Sequence, residues 1–497
     1  MNAERSVLVV GAGPTGLTLA AELASAGIQC HLVDKRPEPT RWSRAFGLMP
    51  RTMEALAMRG QIEPFVEAGL PCAEAPLGDD RGHLDYTGLD STFPFILILP
   101  QYRTEELLTL WAVKAGVQLR RGVAFRGLRQ NAEGVTVELD QDGKTRTEHY
   151  DYVVGCDGVN SAVRLAAAIP FAGRDYDKSL VIADVRLTDR PASEVYARIA
   201  RRGMVARYPF GDGTYRLIVL DRQRMDVPTT EPVTAAELEQ SCLAIAGLPL
   251  RVRELVWQSR FRSSQKHAQN YRRGRVLLAG DAAHTHIPSG GQGLQVGIQD
   301  AMNLAWKLTA ELAGWAPPWL LDSYERERLP IAAATLRKTD LAFRFETSNS
   351  VAAQLTRWLT TKSMSVRRLQ LPVMREFAGL TVRYPSPKGA DPAVGRRVPD
   401  LTLRCDAGRG PHPVVSLYSL LRDRRFVLID QTEGGAGAQV ALGWPDRVRA
   451  VRAQLPRNQL PELVLVRPDG YVAWAGPTVE QTRITAALRE WCGRERA

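Results

Sequence analysis

Gly11-Ala12-Gly13-Pro14-Thr15-Gly16 is the segment whose residue types and spacing say most about chemistry. It lies between the apolar run Ser6 to Val10 and a stretch of helical spacing that carries Leu17, Leu19, Ala20 and Leu23. In that setting Gly11 permits a tight turn, Gly13 lets a pyrophosphate approach the backbone, and Gly16 allows close helix packing. The helix start supplies unpaired N–H groups for the anion. Asp34 closes the next apolar run 18 residues after Gly16, the distance at which an acid hydrogen-bonds an adenosine ribose. An acid there suits an unphosphorylated 2'-hydroxyl, so FAD or NAD fits better than NADP.

Two later segments end strand-like runs in a comparable way. They are Gly155-Cys156-Asp157-Gly158 and Gly280-Asp281-Ala282-Ala283-His284, the second followed by Pro288-Ser289-Gly290-Gly291-Gln292-Gly293. A strand ending in Gly-Asp presents a carboxylate to a sugar-like polyol, and a glycine-rich loop entering a helix offers backbone donors to an anionic ring edge. His284 and His286 have no third ligand nearby at metal-site spacing, so no metal is expected. Tyr208, Phe210 and Trp257 suit either a substrate cavity or a sheet core.

The elements that must position these residues follow from hydrophobic spacing. Strand, glycine turn, helix and strand within about 30 residues make a βαβ unit, and Val117 to Leu119, Val135 to Leu139 and Tyr152 to Val154 read as further strands, with Gly134 between hairpin arms. From 176 to 275 the pattern changes to antiparallel strands at 181 to 187, 204 to 210 and 214 to 220, the last two joined by Gly211-Asp212-Gly213. Residues 276 to 281 restore the buried-strand pattern, and residues 299 to 313 and 330 to 380 read as helices. Residues 384 to 392, with three prolines and a glycine, read as a linker before a small α/β unit.

Composition narrows the class. The chain has 497 residues, 44% hydrophobic and 24% charged, enough for about three units at roughly 150 residues each. The formal charge of +11 rests on 65 Lys+Arg, only nine of them Lys, scattered among acids without a basic run or aromatic stripe. That argues against a nucleic-acid partner and leaves a few arginines for a phosphate-bearing ligand. The six cysteines form no C-x-x-C pair, which points to a reducing, cytoplasmic setting. The apolar stretch 5 to 26 is interrupted by Glu22, and no run approaches the ~20 residues of a membrane span, so no membrane partner is expected.

GAGPTG, GCDGVNSAVR and GDAAHTHIPSGGQGLQVGIQDAMNLAWKL, in this order, resemble the three fingerprints of the class A FAD-dependent aromatic hydroxylases, the group containing para-hydroxybenzoate hydroxylase. The resemblance covers residues 5 to about 390. Leu465 to Trp474 (LVRPDGYVAW) resembles part of the thioredoxin-like C-terminal domain of the polyketide and rifampicin hydroxylase branch, and without C-x-x-C it implies structural or oligomeric use. The implied fold is α/β: a Rossmann-type FAD-binding domain at 1–175 and again at 276–385 with long helices, an inserted antiparallel substrate domain at 176–275, and a thioredoxin-like domain at 390–497.

Position by position, the resemblance implies Gly11, Gly13, Thr15 and Gly16 at the FAD pyrophosphate and Asp34 with Lys35 at the adenosine end. Arg44 and Gln101 would contact the phosphate and ribityl region, although Arg44 also reads as a surface cation and Gln101 as a cap for a helix at 104 to 115. Phe125 falls on the adenine side. Asp157 would serve both FAD and the nicotinamide nucleotide, and Asp281 the ribityl chain. Pro288 and the loop Gly290 to Gln295, with Gly291, Gly293 and Leu294, would meet the flavin ring. Gln295 stands where the family generally has Asn, so a backbone contact there is expected and a side-chain contact is left open.

The implied activity is an NAD(P)H-consuming monooxygenase acting with O2 through a C4a-hydroperoxyflavin on a bulky polycyclic phenol, a polyketide or antibiotic. Baeyer-Villiger insertion and hydroxylation of a simple phenol stay open, as does homo-oligomer formation. A flavin halogenase lacks its W-x-W-x-I-P element, which Trp315-Ala316-Pro317-Pro318-Trp319 does not supply.

Overall fold

The computed structural model describes residues 5–42, 44–76, 83–191, 193–287, 291–348, 350–364, 366–405, 414–454, 460–477 and 481–496. Its first sheet has the strand order Arg272–Arg273, Val276–Leu278, Tyr152–Gly155, Ser6–Val10, Gln29–Asp34 and Gln118–Arg121. All neighbours are parallel except the first pair. Val7, Leu8 and Val9 are fully buried, as a parallel strand covered on both faces must be. Helices Pro14–Ser25 and Gln292–Leu312 pack together on it, and a meander of Val123–Gln130, Val135–Gln141 and Lys144–Tyr150 adds Val135, Val137 and Leu139 to the same core.

A second, wholly antiparallel sheet runs Tyr196–Ile199, Gly203–Pro209, Thr214–Asp221, Phe171–Leu187, Val252–Ala268 and His284–Thr285. The Gly211-Asp212-Gly213 hairpin lies where expected, with both glycines at positive φ (87° and 84°). The strand expected at 181 to 187 begins ten residues earlier, at Phe171, because its first half is largely exposed and carries no apolar alternation. Helix Ala235–Ala246 packs on this sheet through Leu238, Cys242 and Ile245 and was not anticipated, although Thr234-Ala235-Ala236-Glu237 has the spacing of a capping box. Thr234 caps the backbone N–H of Glu237, and Gly247 ends the helix at φ 63°.

The C-terminal sheet has the order Val414–Ser416, Thr402–Cys405, Val448–Gln454, Phe426–Asp430, Leu463–Val466 and Val472–Gly476, with the central pair parallel and its other pairs antiparallel. Helices Ala436–Ala441 and Gln481–Cys492 accompany it in a thioredoxin-like arrangement. The segment 384 to 392 is largely exposed from 385 to 389, and its first residue is anchored. Tyr384 is buried, its N–H donates to the Gly395 carbonyl at 2.8 Å, and the Arg467 guanidinium lies 4.7 Å from its ring centroid.

Beneath Tyr384 a buried ionic cluster joins the C-terminal domain to the helices behind the first sheet. Arg467 donates to Glu327 at 2.8 and 2.9 Å and to Asp469 at 2.9 Å. Lys307 meets Glu327 at 2.8 Å, and Arg51 reaches the Asp469 carbonyl at 2.7 Å. No described helix is long and apolar enough to cross a membrane.

Candidate functional site

The carboxyl ends of the parallel strands and the underside of the antiparallel sheet enclose a cavity of about 900 Å³. Its floor is the glycine turn. Gly11 has φ 105°, and a Cβ there would lie 2.4 Å from the Cys156 carbonyl oxygen; a Cβ on Gly16 would lie 1.9 Å from the Gly11 carbonyl oxygen. Gly13 differs, because a Cβ there meets nothing within 4 Å. Gly13 is also the N-cap of Pro14–Ser25 and offers no side-chain cap, so the first N–H groups of that helix stay available to an anion. Thr15 wedges the assembly together: a Cβ on Gly280 or Gly297 would sit 2.6 or 2.3 Å from its hydroxyl oxygen.

Asp34 and Lys35 lie on the cavity wall. The Asp34 carboxylate accepts from the Ala12 N–H at 2.8 Å and from the Arg36 backbone and guanidinium at 2.8 to 3.1 Å. Those donors outweigh burial and hold its pKa below the ordinary value. Arg36, not singled out in the sequence despite following Asp34-Lys35 directly, therefore fixes the acid's orientation. Phe125, expected on the adenine side, lies inside Val123–Gln130 and lines the same cavity. Gln101 opens helix Gln101–Lys114 instead of capping a later one, and donates to Glu105 at 2.7 Å. The other Glu105 oxygen is buried without a partner among the described residues, and burial raises the carboxyl's pKa.

Arg44 is exposed on the cavity wall, its guanidinium 4.0 Å above the Phe261 ring, with no acidic partner among the described residues. The surrounding protein lowers its pKa, as for a cation without a counter-ion. Arg216, paired with Asp184 at 2.8 Å, holds the Arg44 carbonyl at 2.8 Å and so fixes this loop. An Arg44→Ala change is expected to weaken an anionic dinucleotide about tenfold, roughly 1.4 kcal/mol, while leaving the apoprotein's melting temperature unchanged. Flavin-fluorescence titration checks this, and the difference should shrink in high salt.

Asp157 borders the cavity, but its oxygens accept from the Ser161 hydroxyl and from the N–H groups of Ala162 and Val163 at 2.7 and 3.2 Å. These bonds shape the turn before helix Ala162–Ala166. Asp281 opens to the cavity with no side-chain partner among the described residues, and the crowded surroundings raise its pKa.

The segment expected as a loop through Gln295 becomes helix at Gln292, with Gly291 as N-cap at φ 63°. Gly291, Gly293 and Leu294 line the cavity, and Pro288 lies outside the described residues. Gln295 is off the wall. Its side chain accepts from Met49 N–H and the Thr52 hydroxyl at 3.2 and 2.6 Å and donates to the Gly47 carbonyl at 2.7 Å, so it braces the chain just beyond Arg44.

Of the three aromatics, only Trp257 lines the cavity, its ring parallel to Trp42 with centroids 6.5 Å apart. Tyr208 packs against Phe46 at 4.8 Å, and Phe210 lies 5.1 Å from the Arg216 guanidinium. Trp42 was missed because a lone tryptophan in a polar loop has no periodic signature. An open glycine cradle at a helix start, an acid at the second strand end, an unpaired arginine and this volume together fit FAD.

Comparison with known proteins agrees. Residues 4–339 match the FAD binding domain family, and residues 391–495 match the aromatic-ring hydroxylase C-terminal family. A 12-dehydrotetracycline 5-monooxygenase/anhydrotetracycline 6-monooxygenase of Streptomyces rimosus is 37% identical over 98% of both chains. A rifampicin monooxygenase of Streptomyces venezuelae is 37% identical, also over 98% of both. The solved anhydrotetracycline hydroxylase of Streptomyces rimosus superposes with a TM-score of 0.86 over 99% of both chains at 37% identity.

Proposed function

Since the chain belongs to the FAD-dependent aromatic-ring hydroxylases, we propose that it hydroxylates a bulky polycyclic phenol, a polyketide or antibiotic, using NAD(P)H and O2. The observation that carries this is the large cavity running from the glycine cradle to the Trp42, Trp257 and Phe261 wall beneath the antiparallel sheet. Relatives of nearly the same length whose names specify tetracycline precursors or rifampicin support the substrate class.

When bound, FAD supplies the activation of O2 after hydride transfer from NAD(P)H. The chain's own residues bind and orient. Gly11, Gly13, Gly16 and the following helix start hold the pyrophosphate, Asp34 with Lys35 and Phe125 the adenosine end, and Arg44 and Gln101 the phosphate and ribityl region. Asp281 would hold the ribityl hydroxyls, and the N–H groups near Gly291, Gly293 and Leu294 would hold the flavin ring edge. The antiparallel sheet keeps water from the ring.

The proposed units are 1–175 with 276–385, 176–275, and 390–497, with strand Phe171–Leu187 crossing the first boundary and His284–Thr285 returning to the antiparallel sheet. The buried Arg467 cluster favours a structural role for the C-terminal unit within its own chain over an oligomeric one. Six cysteines without a C-x-x-C pair favour a cytoplasmic setting.

Purified protein is expected to be yellow and to consume NAD(P)H faster with a polycyclic phenol than without, yielding product with one added oxygen as a hydroxyl. A colourless protein that takes up no FAD would refute the proposal. A ring-expanded lactone would instead identify Baeyer-Villiger insertion.

A further inference from the structure

The cavity wall is drawn from residues between Val10 and Leu294, and among the described residues none belongs to the C-terminal domain. That domain nevertheless reaches the helix start that borders the cavity, through one turn and two buried side chains. The turn at 467 to 471 joins strands Leu463–Val466 and Val472–Gly476. Arg51, at the start of helix Pro50–Ala57, donates from Nη2 to the Asp469 carbonyl of this turn at 2.7 Å and from Nη1 to Glu54 at 3.1 Å. Its guanidinium also lies 4.8 Å from the Tyr471 ring centroid. Just past the other end of the same helix, Arg59 donates to the Pro468 carbonyl at 3.0 Å. There is no slack between turn and helix: Gly470 has φ 79°, and a Cβ there would lie 2.6 Å from Met58 Sδ and 3.4 Å from Arg51 Nη2.

Met49 and Thr52, on either side of Arg51 in the chain, are bonded to Gln295. The Met49 N–H and the Thr52 hydroxyl donate to Gln295 Oε1 at 3.2 and 2.6 Å, and Gln295 Nε2 donates to the Gly47 carbonyl at 2.7 Å. Arg51 and Gln295 are 2% and 3% exposed, so water does not compete for these bonds. Gln295 follows Gly293 and Leu294, which line the cavity in the first turn of helix Gln292–Leu312. Residues 49 to 52 are thus bonded both to the C-terminal domain and to the segment assigned to the flavin ring edge. In a close-packed interior a displacement of that short stretch is passed on to Gln295, and with it to Leu294.

We propose that the turn at 467 to 471 sets the position of the ring-edge donors near Gly291, Gly293 and Leu294, acting through Arg51 and Gln295. The proposal rests on the ring-edge placement above. Reduced flavin carries more negative charge at this edge than oxidised flavin, and N–H donors fixed there favour the reduced form. Donors drawn out of place penalise the reduced form more than the oxidised one. The C-terminal domain therefore tunes the reduction potential without contributing a side chain to the cavity. Arg51 and Gln295 are positioning residues.

The test measures the two-electron reduction potential of the FAD-loaded protein in wild type, Arg51→Met, Gln295→Ala and the double variant, with apoprotein melting alongside. Arg51→Met is expected to weaken reduced relative to oxidised FAD about tenfold, a potential about 30 mV more negative. Gln295→Ala should shift the potential in the same direction by a similar amount. The double variant should shift it no further than the larger single change, because both changes cut one path. Arg51→Lys serves where Arg51→Met fails to fold. It keeps a cation beside Glu54, gives up the fork that spans Glu54 and the Asp469 carbonyl, and should show the same sign of shift. An unchanged potential in a folded Arg51 variant, with or without a lower melting temperature, would leave Arg51 a packing role only and overturn the proposal. Additive shifts in the double variant would overturn it too. An unchanged potential in Gln295→Ala would instead overturn the ring-edge placement, and the proposal with it.

Discussion

Replacing Arg467 with Met is expected to destabilise the protein by about 3–5 kcal/mol, the usual cost of stranding a buried charge by removing its partner. Arg467 lies between Glu327 and Asp469 with its guanidinium shut off from water, and Lys307 alone would then face two buried carboxylates. The loss should appear as a lower urea midpoint for the apoprotein. Adding Glu327→Gln and Asp469→Asn to Arg467→Met should recover part of it, since those changes remove the uncompensated charge. The same ion pairs predict an acid dependence. Glu327 is held at about 2 by Arg467 and Lys307 against desolvation, so its contribution is fully present above the ordinary carboxyl range and is lost as pH falls toward 2. Arg467→Met should flatten that acid limb. An unchanged midpoint and acid limb would mean that the C-terminal domain is not coupled to helices Gln292–Leu312 and Ser323–Thr347.

That coupling was not legible in the sequence, and the reason is physical. Arg467, Glu327, Lys307 and Asp469 are scattered over more than a hundred residues of chain, and each alone reads as a solvated charge. Arg36 and Gln295 were obscured in a similar way, since their roles depend on which neighbour the fold brings near. The glycine motif was legible because its chemistry is local: turn, approach and helix start all fall within six residues. Strands with a buried face on both sides, such as Val276–Leu278, announced themselves by composition. Lys144–Tyr150 did not, because it is exposed along most of its length and shows no apolar alternation. The helical first turn at Gln292 was hidden by the glycines around it, residues that usually signal a loop.

The three glycines of the turn should respond to substitution in opposite ways, and the contrast locates the ligand. Gly11→Ala combines a disfavoured φ of 105° with a Cβ only 2.4 Å from a backbone oxygen, so the loop itself must move. Gly16→Ala places its Cβ 1.9 Å from the Gly11 carbonyl oxygen. Both variants should lose apoprotein stability and FAD together. Gly13→Val should not. Its backbone is extended at φ −83° and ψ −179°, which a β-branched residue adopts readily, and the space around its Cβ is empty. That empty space is where a pyrophosphate would lie against the helix start. Gly13→Val is therefore expected to keep the wild-type apoprotein melting temperature and to weaken FAD on the order of 100-fold, ~2.7 kcal/mol. Flavin-fluorescence titration alongside apoprotein melting separates the two classes. If Gly13→Val bound FAD as tightly as wild type, the pyrophosphate could not lie over Gly13, and the placement of the adenosine end at Asp34 would fall with it.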